Sequence, residues 1–484
     1  MSDIRRAVIF SSLGRYLLML IGLISSMVIA RLLTPSEIGI FAVASSFVMI
    51  MAEFRVLGAN AYLVREKELT HEKIRSSYGL TLLVSWLMGV VIIAAAFPLA
   101  HFFEIEELGV IFILLSLSFF VAPYISIPHA ILSRKYKFGL ISNVYIVASV
   151  VQFIITVLLI LYGFSFYSLA IGNLVAILVQ AILFLYASRD VSVYRPRFVN
   201  MKSIAKVGIY TSLGHVIRKS LQTAPDMVLG KMGTPAEVGL FSRGLGLMVF
   251  VTDIIMSGIY PVAAPYLADI NNRGDDVVKA YLNASQMITG VLWPVLAVGS
   301  VASLPAIRLM FGDQWDFAAP IASIVAAWAM LRAPHVLVPQ ALITLGHESS
   351  MFAKEIIVFI VFLTAIIFGY QKEGMQGVAY GFVVGGVADL IVSALFAKKR
   401  MNLPIFKHLI CLAPSLMVTI TCWVAVKGVA YVWPFEEMAS FYSFLLILIF
   451  LPFSWVLSLF AFRHPLRTEL LKFASIFRKD SKIG

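Results

Sequence analysis

Apolar residues in this chain run in long unbroken stretches separated by short polar ones. A helix needs ~20 mostly apolar residues to cross ~30 Å of hydrocarbon. Stretches of that kind lie near 9–30, 38–58, 78–99, 108–127, 141–162 and 165–187. A second group lies near 237–262, 284–310, 318–343, 351–369, 376–397, 405–426 and 440–462. The pattern therefore predicts thirteen transmembrane helices, with connections too short to hold a soluble catalytic domain. The stretch 208–230 carries His215, Arg218, Lys219, Gln222 and Asp226, and hydropathy alone leaves it undecided.

Composition agrees with the bilayer as solvent. The chain is 60% hydrophobic and 13% charged, with a mean hydropathy of +0.93, where soluble domains carry about 25% charged residues. The net charge of +12 would suit a nucleic-acid partner, but the basic residues are sorted by loop, which is a topology signal, and no nucleic acid is expected. If 208–230 crosses, one side holds Arg5 and Arg6, the Arg65–Arg75 and Arg134–Lys137 groups, Arg189–Lys206, Arg273 and Lys279, Lys354, Lys398–Lys407 and the tail from Arg463. The other side holds only Arg31, Lys231, Arg308, Lys372 and Lys427. Positive charge resists translocation, so this bias predicts fourteen spans with both termini cytoplasmic. The first apolar run follows Arg5 and Arg6, yet it is longer than a signal-peptide core, contains Arg15 and lacks a small-residue cleavage pattern. It reads as a retained first helix. Cys411 and Cys422 share one predicted helix, which argues against a disulfide or a metal site.

The chain also repeats itself at an offset of 200 residues. ARLLTPSEIGIF at 30–41 parallels GKMGTPAEVGLF at 230–241. Thr34, Pro35, Glu37, Gly39 and Phe41 match Thr234, Pro235, Glu237, Gly239 and Phe241, and Ser12-Leu13-Gly14 and Met27-Val28 match Ser212-Leu213-Gly214 and Met227-Val228. Further on, Ala122-Pro123, Pro128 and Ala130 echo Ala333-Pro334, Pro339 and Ala341. The stretch 208–230 thus copies the first span, which supports its membrane placement. The copies are first and seventh in the order of spans, an even step, so both run in one direction, as in transporters built from parallel repeats. The expected organisation is an N-terminal lobe at 1–187, an inter-lobe loop at 188–207 and a C-terminal lobe at 208–400. Two extra helices follow at 401–462, then a basic tail at 463–484.

Ionisable groups at membrane depth cost ~2.5–3.5 kcal/mol each on insertion scales and mark functional positions. On 208–230, His215, Lys219, Gln222 and Asp226 line one helical face beside Arg218, and Pro225 should kink the helix. Others are Arg15, Glu53, Arg55, Arg243, Asp253, Arg332, His335 and Asp389. Glu53 and Asp253 are equivalent in the repeat, as are Arg15 and His215. One reading makes them internal ion pairs, such as Asp226 with Lys219 or Glu53 with Arg55, with Arg55 also placed to snorkel. The other notes that basic groups outnumber acidic ones, and a shared cavity with that surplus favours an anionic headgroup. Gly381, Gly385 and Gly386 form a G-x-x-x-G surface for helix packing. No Walker loop, G-x-S-x-G or zincin motif is present, so neither an enzyme nor a cofactor is expected.

The segment A-R-L-L-T-P-S-E-I-G-I-F-A-V-A at 30–44 resembles the polysaccharide transporter family, the O-antigen and exopolysaccharide repeat-unit flippases of the multidrug/oligosaccharidyl-lipid/polysaccharide superfamily. So do Gly58 with Leu63-Val64-Arg65, Asp226-Met227-Val228-Leu229-Gly230, and Glu237 to Arg243. The last departs from the family pattern, with Phe241 for the usual Tyr and Gly244 for Ala. The resemblance covers roughly residues 5–400. It implies an all-α bacterial inner-membrane protein with two six-helix lobes around a cationic cavity. It would flip an undecaprenyl-pyrophosphate-linked oligosaccharide from the cytoplasmic to the periplasmic leaflet by alternating access. It also implies a polysaccharide polymerase and a chain-length regulator as partners. Arg15, Arg218, Lys219, Arg243 and Arg332 are the candidates for contacting the headgroup, and Asp226, Asp253 and Asp389 for carrying a coupling proton or sodium. The rival readings are a multidrug or cation antiporter of the same superfamily, whose cavity should be acidic, and a flippase for the peptidoglycan lipid precursor.

Overall fold

In a computed structural model the backbone is described for residues 2–56, 62–63, 66, 68–188, 195–199, 201–435 and 440–480, with side chains omitted at 2–12, 55–56, 202–214, 264, 348, 473–474 and 476–480. The Gly58 and Val64-Arg65 motif positions, Lys67, Arg189 and Lys482 lie outside the described residues, and so do the side chains of the expected interfacial Arg55 and of Arg5, Arg6, Lys202, Lys206, Arg478 and Lys479. The described residues form helices and their connections. The chain divides into two compact units, Met1–Ser242 and Arg243–Gly484.

The first unit contains α1 (Ser2–Leu32), α2 (Pro35–Val56), α3 (His71–Phe103), α4 (Leu108–Val121) and α5 (Pro123–Arg134). It continues through α6 (Phe138–Leu161), α7 (Tyr167–Ala187), α8 (Met201–Met232) and the start of α9 (Pro235–Asn272). The two T-P-x-E turns are true helix starts. Thr34 N–H and Thr234 N–H each donate to Oε2 of the glutamate three residues on, at 2.8 Å in both copies. The threonine hydroxyls accept from Glu37 and Glu237 N–H, at 3.3 Å in both. These are reciprocal capping boxes with proline at the first helical position. α8 packs along α2, where Gly230 admits the Val43 side chain: a Cβ there would lie 2.6 Å from Val43 Cγ2.

The second unit holds the rest of α9, then α10 (Val277–Val301), α11 (Ser303–Phe311), α12 (Ala318–Arg332) and α13 (Val338–Thr344). It ends with α14 (Glu348–Met401), α15 (Ile405–Val432), α16 (Ser440–Ala461) and α17 (Leu466–Asp480). α14 is two helical arms: Glu373 is non-helical and Gly374 has φ +57°. The arms meet backbone to backbone, since a Cβ on Gly369 would lie 2.1 Å from the Gly377 carbonyl oxygen, and one on Gly377 1.9 Å from that of Gly369. Gly381 and Gly385 carry the contact onward against Ile366 and Phe362, so the glycine surface is a helix-packing surface.

Buried hydroxyls and histidines tie α15 and α16 to α10. Tyr281 OH lies 3.0 Å from His335 Nδ1, and Ser285 Oγ 2.9 Å from His408 Nε2. Thr289 Oγ1 donates to Ser415 Oγ at 3.0 Å, and Ser415 Oγ lies 3.0 Å from His464 Nε2. An apolar cluster around Val298, Val418, Cys422 and Leu459 completes the contact.

Among the described residues, eleven helices are long and apolar enough to cross a membrane, or twelve if α4 and α5, bent by 46°, form one span. This differs from the fourteen spans expected from sequence for two physical reasons. The runs at 351–369 and 376–397 are the two arms of α14, and α8 is a continuous 32-residue helix too polar to qualify.

Candidate functional site

The most enclosed charges lie in the second unit, where α12 meets both arms of α14. Asp389 sits on the second arm and accepts three hydrogen bonds. Lys354 Nζ on the first arm donates to Oδ1 at 2.9 Å, Ser393 Oγ to Oδ1 at 3.0 Å, and Arg332 Nε on α12 to Oδ2 at 3.1 Å. Lys354 also pairs with Glu355 at 3.2 Å. The Lys354 side chain is 5% exposed and Asp389 11%, whereas Arg332 is 45% exposed and lies over the Trp328 ring at 4.9 Å. Two cations face two carboxylates, so the cluster is electrically balanced, and its buried members satisfy one another. Sequence reasoning paired neither Arg332 nor Asp389 with Lys354 and missed Glu355, because Lys354 counted as a loop charge in the topology. The only signal was an adjacent Lys-Glu at the mouth of an apolar run.

Asp226 is differently placed. It lies on α8 against α2, and Ser46 Oγ donates to its Oδ2 at 2.7 Å. Among the described residues no cation lies within ion-pair distance of it, so the expected Asp226–Lys219 pair does not form. The two residues share a helical face but stand two turns, ~10 Å, apart along the axis, and the Asp226 carboxyl bonds Ser46 on α2 instead.

Arg218 is exposed and Lys219 half-buried on the same helix, and no carboxylate among the described residues pairs with either. About two turns on, Pro225 lacks the N–H that would bond the Leu221 carbonyl. Arg243, at the start of the second unit, is enclosed by aromatic rings, with its guanidinium 5.3 Å from the Phe311 centroid and 5.4 Å from that of Trp315. The departure at Gly244 has a packing reason: a Cβ there would lie 2.7 Å from the Ala318 carbonyl oxygen. Arg15 and Asp253 are exposed, the former on α1 and the latter on α9. Of the expected residues, the structure therefore joins Arg332 to Asp389 and keeps Arg218 beside Lys219. Asp226 and Arg243 each have surroundings of their own. No group of His, Cys, Asp and Glu among the described residues has the arrangement of a metal site.

Comparison with known proteins places this architecture. Lipopolysaccharide biosynthesis protein WzxC of Escherichia coli (strain K12) is 22% identical over 449 residues, covering 87% of each chain. Succinoglycan biosynthesis transport protein ExoT of Rhizobium meliloti (strain 1021) is 22% identical, covering 75% of this chain and 72% of ExoT. Among solved structures, the lipid II flippase MurJ in an inward closed conformation superposes with a TM-score of 0.73 at 16% identity, over 98% of this chain and 99% of MurJ. An inward-facing MATE multidrug transporter of the MOP superfamily gives 0.64 at 16% identity, over 82% and 98%. The fold is therefore that of MOP-superfamily transporters. The pattern that defines the family described as polysaccharide biosynthesis protein matches residues 28–320, and the chain belongs to that family.

Proposed function

We propose that this protein is a flippase for a lipid-linked anionic oligosaccharide, such as an undecaprenyl-pyrophosphate-linked repeat unit, at the bacterial inner membrane. A sugar headgroup does not cross hydrocarbon unaided. A polar route through the protein carries the headgroup while the prenyl tail stays in lipid, and alternating access between the repeat halves 1–187 and 208–400 requires no chemistry on the substrate. In the orientation that the Lys and Arg distribution favours, both termini are cytoplasmic and transport runs toward the periplasm.

The observation that carries this reading is the pair Arg218 and Lys219. They are two adjacent cations on a membrane helix with no counter-charge among the described residues, and guanidinium and ammonium groups so placed suit a phosphate. WzxC and ExoT, named for lipopolysaccharide biosynthesis and succinoglycan transport, support the substrate class. Arg332, half-exposed beside Trp328, is a second contact, and Arg15 a third. Arg243, held between rings, shapes the start of the second unit. Asp226 is the favoured carrier of a coupling cation, because Asp389 is already satisfied by Lys354 and Arg332. Asp253, exposed on α9, is the weaker alternative. A polymerase and a chain-length regulator are the expected partners downstream.

Deleting the gene and extracting lipids tests the proposal. Lipid-linked repeat units should accumulate with their glycans on the cytoplasmic side, and a plasmid copy should clear them. Arg218→Ala with Lys219→Ala should abolish clearance while the protein remains in the membrane. Normal clearance by that variant removes the cationic-site reading, and efflux of ethidium-like cations without any glycan phenotype would favour the antiporter.

A further inference from the structure

α12 ends where Pro334 cannot continue it. Proline has no N–H to give to the carbonyl four residues back, so the break at Ala333–His335 leaves the Met330 carbonyl without its helical donor. One helix, α10, makes good the loss on both sides of the break. Trp293 Nε1 donates to the Met330 carbonyl oxygen at 2.7 Å. Tyr281 OH and Ser285 Oγ both donate to the Pro334 carbonyl oxygen, at 3.0 and 2.8 Å. These two hydroxyls are buried, and with their protons on the carbonyl they accept from His335 Nδ1 and His408 Nε2. Midway between the two clasped carbonyls stands Arg332.

Its side chain is held as closely as its backbone. Trp328, one turn earlier, lies beneath the guanidinium at 4.9 Å and is itself fixed by α14. The Trp328 ring meets the Phe382 ring edge-on at 5.1 Å, and a Cβ on Gly386 would lie 3.0 Å from Trp328 Cδ1. Asp389 takes the Nε edge of the guanidinium at 3.1 Å, and among the described residues neither Nη group has a hydrogen-bond partner. The donors on those two nitrogens form the fork that takes a phosphate bidentately.

The first half of the chain has the tryptophan without the cation. Trp86 Nε1 on α3 donates to the Phe120 carbonyl oxygen at 3.2 Å, beside the 46° bend where α4 gives way to Pro123 and α5. Aligned on Ala122-Pro123 and Ala333-Pro334, Val121 stands in the place of Arg332. Among the described residues, the Pro123 carbonyl has no side-chain donors corresponding to Tyr281 and Ser285. The extra pair of bonds belongs to the half that has an arginine to aim.

We infer that Tyr281, Ser285 and Trp293 are positioning residues that aim Arg332 at an anionic headgroup, presenting its Nη edge while Asp389 holds the Nε edge. This rests on the reading above in which Arg332 contacts the headgroup. An arginine so fixed loses little freedom on binding, which is the gain that preorganisation gives.

The test is arginine modification in the full-length protein in lipid nanodiscs. Phenylglyoxal adds to accessible guanidinium groups, and peptide mass spectrometry reads its rate at Arg332 and at Arg308, which Asp316 holds at 2.7 Å. Ser285→Ala, Tyr281→Phe and Trp293→Phe should each quicken modification of Arg332 about fivefold, the shift that loss of one buried hydrogen bond allows, with Arg308 unchanged. Ser285→Thr keeps the hydroxyl and should keep the parent rate. A parent rate at Arg332 in Ser285→Ala, or an equal rise at Arg308, overturns the proposal. Should Trp293→Phe fail to accumulate, Ser285→Ala and Ser285→Thr decide alone. Undecaprenyl pyrophosphate should protect Arg332 in the parent, and about fivefold less well in Ser285→Ala. Equal protection in both overturns the aiming role. Absence of protection in the parent removes Arg332 from the headgroup site, and the rates without ligand then still decide whether α10 positions it.

Discussion

At the scale of single residues, burial and partnership separate groups that share a charge. Asp389 and Asp226 are both membrane-depth acids, but one accepts from two cations and a hydroxyl and the other from a hydroxyl alone. Removing one side of a buried, satisfied pair strands the other. Asp389→Asn should therefore lower stability by about 3–5 kcal/mol, because Lys354 is left with Glu355 as its only carboxylate. The melting temperature of detergent-purified protein measures this, and joining Asp389→Leu with Lys354→Met and Glu355→Gln, which leaves no buried charge of the cluster unpaired, should recover most of the loss. A melting temperature equal to wild type in Asp389→Asn would show that the cluster is wetter than its burial indicates. The sequence marked Asp389 and Arg332 as anomalous, but it could not pair them. Their partner Lys354 stands 35 residues from Asp389, on the other arm of a hairpin that bends at Glu373 and Gly374.

At the scale of elements, much was legible. The apolar runs name most of the helices, because a bilayer leaves few alternatives to a helix whose backbone bonds are internal. The T-P-x-E repeat names two helix starts, and both capping boxes form with matching lengths. Thr34→Ala and Thr234→Ala should each reduce stability by about 1 kcal/mol, the usual loss for an N-cap hydroxyl, and by similar amounts because the two caps are alike. Thermal melts of the two variants check it, and a large effect in one copy alone would show that the caps differ in tertiary load. Hydropathy failed at α8, whose polar residues lower its mean although it is one unbroken helix packed on α2. The repeat identified it where hydropathy did not.

At the scale of the whole molecule, the Lys231–Glu104 ion pair that joins α8 to the end of α3 carries a pH signature. The Lys231 ammonium donates to Glu104 and, with His101 adding a smaller pull, holds that carboxyl below its usual range. A carboxylate depressed in the folded state contributes stability above its unfolded value and loses it as pH falls through the folded one. The difference in melting temperature between wild type and Lys231→Ala should therefore be largest near neutral pH and narrow as the medium falls through the carboxylate range. It should also shrink in high salt, since the pair is exposed. A difference that is constant across that range would assign the effect to the Phe102 carbonyl contact instead.

The sequence by itself determined that this chain lives in a membrane, that it is helical and duplicated, and that its helices begin at two matching turns. Those properties follow from local rules: hydrocarbon thickness, backbone satisfaction and helix capping act within a few turns of chain. Which charges neutralise one another, and that the two duplicated turns come into contact, was decided only by the tertiary structure. Such contacts join residues dozens to hundreds of positions apart, and periodicity carries no record of which helix lies opposite. Gly39 reads in sequence as one more residue of a helix start, and its need for no side chain exists only because Pro235 is there to meet it.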